Sequence, residues 1–315
     1  MTRPLDKLSF YKDETYWESY LLEIKPQEVR EVVQEQYIDF HGVPIHLDIY
    51  NKGINPSATT LIWCPGTSAH CRFYQEFLFR IWKHGYRVIG VDQIGHGKSG
   101  GERGHFTMQL FIEVLQAAIT FAQQELKVTG KIVVGGSSLG GFTAFYTGEM
   151  DSRVAATICH NIKYGMAFTS PLRFTDRFRL GLLAFMVKIA PKSRMGVWTY
   201  IKQEDLIDPS NEKSKRLMEV GFADPLLSSK YSLTAIYSQF KWTPPVKLED
   251  FKTPCFLLLG SRDPIFPVSF EKRIFDAIGA PKEMGLIEGG SHMIILEQAE
   301  KCASMIDTWL KQILK

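Results

Sequence analysis

The fold is decided by KIVVGGSSLGGFTAFYTGEM, residues 131–150. A short run of β-branched residues ends in glycines and passes directly into a stretch that can continue as a helix. Between them, residues 136–140 read G-x-S-x-G. In this pattern a sharp strand-to-helix turn lifts the central serine above the end of a sheet, and the small flanking residues let neighbouring backbone approach. We therefore predict that Ser138 is the nucleophile of an enzyme on an α/β scaffold.

The same five-residue pattern occurs a second time, at residues 97–101 around Ser99. This serine lies well past the strand-like run at 86–92, and the GGERG that follows is a poor start for a helix. The context therefore favours Ser138, and Ser99 is predicted to be a loop serine.

Strand-like and helix-like segments alternate on both sides of the turn. Short apolar runs predict buried strands at 59–64, 86–92, 154–159, 253–259 and 283–287. Amphipathic spacing predicts helices at 72–85, 106–126, 269–279 and 297–314. In front of them, alternating segments flank His41-Gly42 and predict a hairpin. This order predicts a mostly parallel sheet covered by helices on both faces.

One region, residues 161–243, breaks the alternation. It has no buried-strand run and is predicted to be largely helical and rich in large apolar residues. We expect a discontinuous core of residues 1–160 and 244–315, with a helical cap of residues 161–243 inserted before the last strands. Such a cap would lie near the carboxyl ends of the strands, where open α/β sheets bind ligands.

A serine hydroxyl is a poor nucleophile until a base removes its proton. With this turn, an acid and then a histidine should follow the serine, each in a loop after a later strand. Asp263 follows the run at 253–259, and His292 follows the run at 283–287. The order predicts His292 as the general base and Asp263 as its partner. His160 precedes the acid and is expected to line the pocket.

The oxyanion of an acyl-transfer intermediate needs two backbone donors. One should be Leu139, the residue after the nucleophile, and we assign the other to Thr67 in the loop after the strand at 59–64. Gly66, Phe185 and Met293 are further candidates for the pocket lining. The other histidines lack a suitable placement and are predicted to be loop or surface residues: His41, His46, His70, His84, His96 and His105.

Composition excludes several other classes of protein. A formal charge of +3 over 315 residues is too small to indicate a nucleic-acid partner. Five scattered cysteines without a CxxC pair favour reduced thiols over a zinc site or a disulfide framework. The first residues lack the apolar core of a signal peptide, and no run is long enough to span a bilayer. We expect a cytoplasmic protein without a metal.

Four stretches together resemble the monoacylglycerol lipase and lysophospholipase branch of the serine α/β hydrolases. They are residues 65–104, GSSLGG at 136–141, GSRDPIF at 260–266 and GGSHM at 289–293. The likeness spans about residues 35–160 and 245–315 and is weak across the cap. The resemblance implies the α/β-hydrolase fold, no organic cofactor or metal, and roles for five residues: Ser138, Asp263 and His292 as the triad, with Thr67 and Leu139 as the oxyanion donors.

The chain departs from the family at Pro65-Gly66, where members often have His-Gly. Proline has no N–H to donate, so the geometry of this loop needs a separate account.

The expected activity is hydrolysis of a carboxylic ester through an acyl-Ser138 intermediate. The substrate would be a monoacylglycerol, a lysophospholipid or a medium-chain ester. A thioesterase, an amidase or a carbon–carbon bond hydrolase would use the same triad, and a ligand receptor on a hydrolase scaffold also remains open.

The stretch at residues 172–190 places basic residues around an apolar run. It either covers an acyl pocket and contacts an anionic lipid surface, or buries its apolar side on the core.

Overall fold

A computed structural model describes residues 16–164, 174–197, 206–207 and 210–315. Its main sheet has the strand order β1-β2-β4-β3-β5-β6-β9-β10. The bounds are β1 Val33–Phe40, β2 Val43–Tyr50, β3 Thr60–Cys64, β4 Arg87–Val91, β5 Ile132–Ser137, β6 Val154–His160, β9 Cys255–Gly260 and β10 Lys282–Ile287. Strand β2 is antiparallel to both of its neighbours, and the pairs from β4 to β10 are parallel. The predicted mostly parallel sheet is confirmed.

Helices cover both faces of this sheet. Their bounds are α1 Pro26–Arg30, α2 Gln75–Lys83, α3 Met108–Gln124, α4 Leu139–Met150, α5 Phe174–Ile189, α6 Glu212–Ala223, α7 Leu233–Lys241, α8 Val268–Ala277, α9 Ile294–Glu297 and α10 Ala299–Ile313. The side chains of successive residues in a strand point to opposite faces of the sheet. Leu61 and Trp63 of β3 pack with α2 and α10, whereas Ile62 packs with α3. Within the described residues, no helix combines the length and the hydropathy needed to cross a membrane.

The predicted hairpin is β1 and β2. Phe40 pairs with Val43, so the loop consists of His41 and Gly42 alone. Both loop residues have positive φ, 53° and 80°. Two consecutive residues of this kind match the right-handed twist of the strands on either side.

The segment 161–243, for which we keep the name cap segment, contains more than helices. Besides α5, α6 and α7 it holds β7 (Arg194–Gly196) and β8 (Lys230–Ser232), which pair antiparallel in a separate two-stranded sheet. The sequence-based expectation of a largely helical region did not include these two short strands. Each strand has three residues, which is too short for a period of two to show in the sequence.

The prediction that His46 is a loop or surface residue is also wrong, since it lies fully buried in β2. Its Nδ1 lies 2.9 Å from Asp92, and its Nε2 lies 3.1 Å from Glu35 and 3.6 Å from Asp48. Burial alone would lower the pKa of His46, but these carboxylates outweigh burial and raise the pKa to about 9. His46 is therefore an imidazolium at neutral pH, and it ties the first hairpin to the loop after β4.

Replacement of His46 by glutamine tests this charge. Because the pKa of His46 is higher in the folded state than in the unfolded state, protonation of His46 stabilises the fold. This stabilisation is complete at a pH below the unfolded-state pKa, near 6.5, and is lost as the pH rises to about 9. We expect the difference in free energy of unfolding between wild type and His46→Gln to shrink by up to roughly 3 kcal/mol over this range. Denaturant unfolding curves of both proteins, recorded at intervals between pH 6 and 9.5, measure this difference. Subtracting one free energy from the other cancels the contribution of titratable groups that both proteins share. A constant difference would show that His46 is neutral in the fold.

Candidate active site

The turn between β5 and α4 holds Ser138 at φ 53° and ψ −117°. A non-glycine residue in such a region costs about 1–3 kcal/mol and persists only where its surroundings enforce it. The turn is tight enough to require glycine at position 136, where a Cβ would lie 2.2 Å from the carbonyl oxygen of Gly140. The Ser138 amide also donates to the carbonyl of His160 at 2.7 Å. The turn is thus closed from both sides, with the serine at its apex.

Asp263 and His292 meet in the loops that follow β9 and β10. His292 Nδ1 lies 2.7 Å from Asp263 Oδ2, while Asp263 Oδ1 accepts the amides of Ile265 and Phe266 at 2.8 and 2.9 Å. Burial would raise the pKa of Asp263, but the charge and hydrogen bond of His292 outweigh it and lower the pKa to about 2. An ionised Asp263 holds the proton on Nδ1, which leaves Nε2 of His292 free to accept one.

Two further side chains hold His292 and its partner Asp263 in place. The ring of Phe266 stacks on His292 with centroids 5.6 Å apart and planes at 22°. Asn161 donates to Asp263 Oδ2 at 3.4 Å from the end of β6. Sequence reasoning missed both residues, since neither belongs to a motif of its own.

The loop after β3 places Thr67 between two anchored amides. Gly66 donates its N–H to the Tyr74 hydroxyl at 3.2 Å, and Ser68 donates its N–H to the Tyr231 hydroxyl at 2.7 Å. Leu139 is the first residue of α4, so no carbonyl of its own helix can accept its amide. Thr67 and Leu139 therefore fit the two oxyanion donors that the sequence predicts. The Gly66 amide is already used by Tyr74, so neither it nor Pro65, which has no N–H, is available as an oxyanion donor.

One cavity brings most of the predicted residues together. Ser138 and His292 line it, as do Gly66, Thr67 and Met293. Its remaining wall is largely apolar and comes mainly from the loop after β3 and from α6: Ala69, Phe73, Leu217, Met218, Phe222 and Leu227. Sequence reasoning missed α6, although residues 214, 217, 218 and 221 repeat at helical spacing and could have indicated a buried face.

The structure does not bring His160 or Phe185 to this cavity. His160 is fully buried behind it, with Nδ1 2.8 Å from Ser137 Oγ, and burial lowers its pKa to about 3. Phe185 is 60% exposed on α5. Ser99, the second G-x-S-x-G serine, donates to the carbonyl of Asp92 at 2.6 Å and accepts the amide of His46 at 2.9 Å.

Two side-chain groups outside the triad could in principle offer metal ligands within the described residues. They are Glu35, His46 and Asp48, and His46, Cys71 and Asp92. Arg72 and Lys98 already pair with the first group at 2.6–2.8 Å, and the His46 imidazolium occupies both. A cation would have to displace these charges, so neither group fits a metal.

The fold and this turn define an α/β hydrolase. The model of one family, described as serine aminopeptidase S33, matches residues 55–299. The chain belongs to this family.

Known relatives confirm the resemblance to monoacylglycerol lipases. The monoacylglycerol lipase of Mycolicibacterium smegmatis is 22% identical over 271 residues, or 82% of this chain and 90% of that protein. The crystal structure of Paleococcus ferrophilus monoacylglycerol lipase has a TM-score of 0.65 at 23% identity, covering 82% of this chain and 97% of that one. A soluble variant of Saccharomyces cerevisiae monoglyceride lipase with a substrate analog reaches 0.72 at 15% identity, covering 90% and 95%.

Asp263→Asn tests the orientation of His292. The amide would favour the wrong tautomer of the imidazole, so we expect kcat to fall roughly 10³–10⁴-fold with little change in KM. The matched control is Asp307→Asn, which alters a buried aspartate 3.3 Å from His84 and outside the cavity. Steady-state kinetics of both variants on one ester decide the matter, and equal losses would remove Asp263 from the mechanism.

Proposed function

We propose that the protein hydrolyses carboxylic esters with Ser138 as the nucleophile, His292 as the base and Asp263 as the acid that orients it. The observation that carries this proposal is the strained Ser138 turn, which shares one cavity with a histidine held 2.7 Å from an ionised aspartate. The oxyanion donors are the amides of Thr67 and Leu139.

The chemistry follows from these positions. Nε2 of His292 takes the Ser138 proton as Oγ attacks the ester carbonyl, and the oxygen that becomes negative is stabilised by the two amides. The intermediate collapses when the imidazolium gives its proton to the departing alcohol, which leaves an acyl-Ser138. A water molecule, deprotonated by His292, then attacks the acyl group and releases the carboxylic acid and the free serine.

The substrate class rests on the wall of the cavity. Phe73, Leu217 and Leu227 offer apolar surface beside the nucleophile, which suits an acyl chain. Relatives that are monoacylglycerol lipases support a monoacylglycerol, a lysophospholipid or a medium-chain ester. The family description names a peptidase, and a thioesterase, an amidase or a carbon–carbon bond hydrolase would use the same three residues. A receptor on this scaffold would bind such a ligand without turnover.

The central test is turnover of p-nitrophenyl esters from acetate to palmitate by wild type, Ser138→Ala and Ser99→Ala. We expect Ser138→Ala to lose at least about 10³-fold in kcat. Ser99→Ala should keep its activity where folded, because that hydroxyl bonds only backbone groups. The matching thioesters and anilides, run in parallel, rank the alternative activities.

Activity that survives in Ser138→Ala would remove this serine as the nucleophile. A folded wild type that binds fatty acids but turns over no ester, thioester or anilide would favour the receptor.

The proposal includes a cytoplasmic location. Its support is that all five cysteines are buried free thiols, as a reducing compartment allows.

We also propose that α5 contacts a lipid surface. Leu182, Phe185, Met186 and Ile189 are exposed by 50, 60, 42 and 68%, and their spacing places them on one face of the helix. The basic residue Lys188 lies exposed on the same helix, and Lys192, which follows the helix, is exposed but paired with Glu102 at 2.9 Å. An apolar face with a cation on the same helix suits the interface of an anionic bilayer, where a lipid substrate would be found.

Sedimentation with phosphatidylglycerol vesicles tests this contact. We expect wild type to bind at low salt, and a variant carrying Phe185→Ser and Ile189→Ser to lose most of the binding. The control is Leu286→Ser, which removes an apolar side chain that is 37% exposed on β10. No sedimentation of wild type, or equal binding by both variants, would contradict a role for α5.

A further inference from the structure

The residue after Thr67 is held in an unfavourable conformation by the cap segment. Ser68 has φ 69°, in the left-handed region that non-glycine residues seldom adopt. The Ser228 amide donates to the Ser68 carbonyl at 2.9 Å, and the Ser68 hydroxyl donates to the Ser228 carbonyl at 2.9 Å. A third bond runs from the Ser68 amide to the Tyr231 hydroxyl at 2.7 Å. Residues of the cap segment thus accept or donate all three bonds that fix Ser68.

The surroundings of the Tyr231 hydroxyl define which hydrogen bond it accepts and which it donates. It accepts from the Ser68 amide and lies 2.9 Å from Nε2 of His96, whose Nδ1 lies 3.1 Å from the carbonyl of Ile94. Burial lowers the pKa of His96 to about 4, so the ring carries one proton. That proton must sit on Nδ1, because a carbonyl can only accept, and Nε2 must therefore accept the Tyr231 proton. A series of hydrogen bonds therefore runs from the Ser68 amide through Tyr231 and His96 to the Ile94 carbonyl, and every donor in it faces an acceptor.

The Tyr74 hydroxyl fixes the residue before Thr67. It accepts the amide of Gly66 at 3.2 Å. A Cβ on Gly66 would come within 2.9 Å of the Tyr74 hydroxyl, so the loop and this tyrosine are in close contact.

From this geometry we propose that Tyr74 and Tyr231 are positioning residues that aim the Thr67 amide into the oxyanion hole. Neither hydroxyl is assigned contact with the reacting atoms, and each acts by anchoring the amide of a neighbour of Thr67. Because Tyr231 belongs to the cap segment, the hole is complete when β8 is seated on the loop after β3. This inference rests on the proposed function, since it assigns Thr67 to that reaction.

The experiment compares Tyr231→Phe and Tyr74→Phe with Tyr86→Phe. Tyr86 is also buried and donates to Asp307 at 2.9 Å, but it does not line the cavity, so its variant loses a comparable hydrogen bond elsewhere. We expect both site variants to lose roughly 10–100-fold in kcat, less than removal of a donor costs. KM should stay within about twofold, since Tyr231 does not line the cavity and Tyr74→Phe keeps the ring that does.

A second measurement reads the oxyanion hole directly. A trifluoromethyl ketone adds to the serine and places an alkoxide in the hole, so its inhibition constant should weaken by about the same factor as kcat/KM. Binding of the product fatty acid should not change in either variant. Because both tyrosines position the same Thr67 amide, each through a different neighbour, the double variant should lose less than the product of the two single losses.

Several results would overturn the inference. The first is a Tyr231→Phe variant that loses no more activity than Tyr86→Phe. The second is a rise in KM with kcat unchanged in either site variant. The third is a double variant whose loss equals the product of the two single losses. A wild type without ester turnover would instead contradict the proposed function. The ketone would then still test the hole, because addition requires only the serine, its base and the two amides.

Discussion

The left-handed turn at Ser138 is the constraint on which the rest of the structure depends. The backbone can hold this turn only if β5 is rigid and nothing larger than hydrogen occupies the Cα of Gly136 or Gly140. Rigidity comes from parallel pairing of β5 with β3 on one side and β6 on the other. The same pairing brings the ends of β3, β5 and β6 to one edge of the sheet, where Thr67, Ser138 and Asn161 emerge. Strand β9, paired with β6, brings Asp263 to that edge.

The loop after β3 shows how Pro65 is accommodated. Pro65 has no amide, and the next amide, that of Gly66, is occupied by Tyr74. In the proposed mechanism the donor role falls to Thr67, whose position depends on how firmly its two neighbours are held. One neighbour is anchored through the core and the other through the cap segment, so the cap contributes more than a wall to the site.

The sequence was sufficient for what depends on local pattern. The alternation of short apolar runs with amphipathic stretches predicted the sheet, and the order of Ser138, Asp263 and His292 predicted which loops would meet. It was insufficient where a side chain's environment is set by distant chain. Phe185 is apolar but exposed, and His46 is polar but buried, because its three carboxylate partners come from β1, β2 and the loop after β4. Strands β7 and β8 are too short to carry a period, and the roles of Tyr74 and Tyr231 follow from contacts that no motif records.

The histidines show why one of them can serve as the base. His46 is surrounded by carboxylates that raise its pKa to about 9, so at neutral pH it already carries the proton that a base would have to accept. His96 and His160 are buried without a carboxylate in hydrogen-bonding contact, and pKa values of about 4 and 3 mean that neither could keep a proton taken from serine. His70 has a carboxylate as close as that of His292, Asp224 at 2.7 Å, but it does not line the cavity. His292 combines one ionised partner on Nδ1 with a place beside Ser138, and a general base at this site requires both.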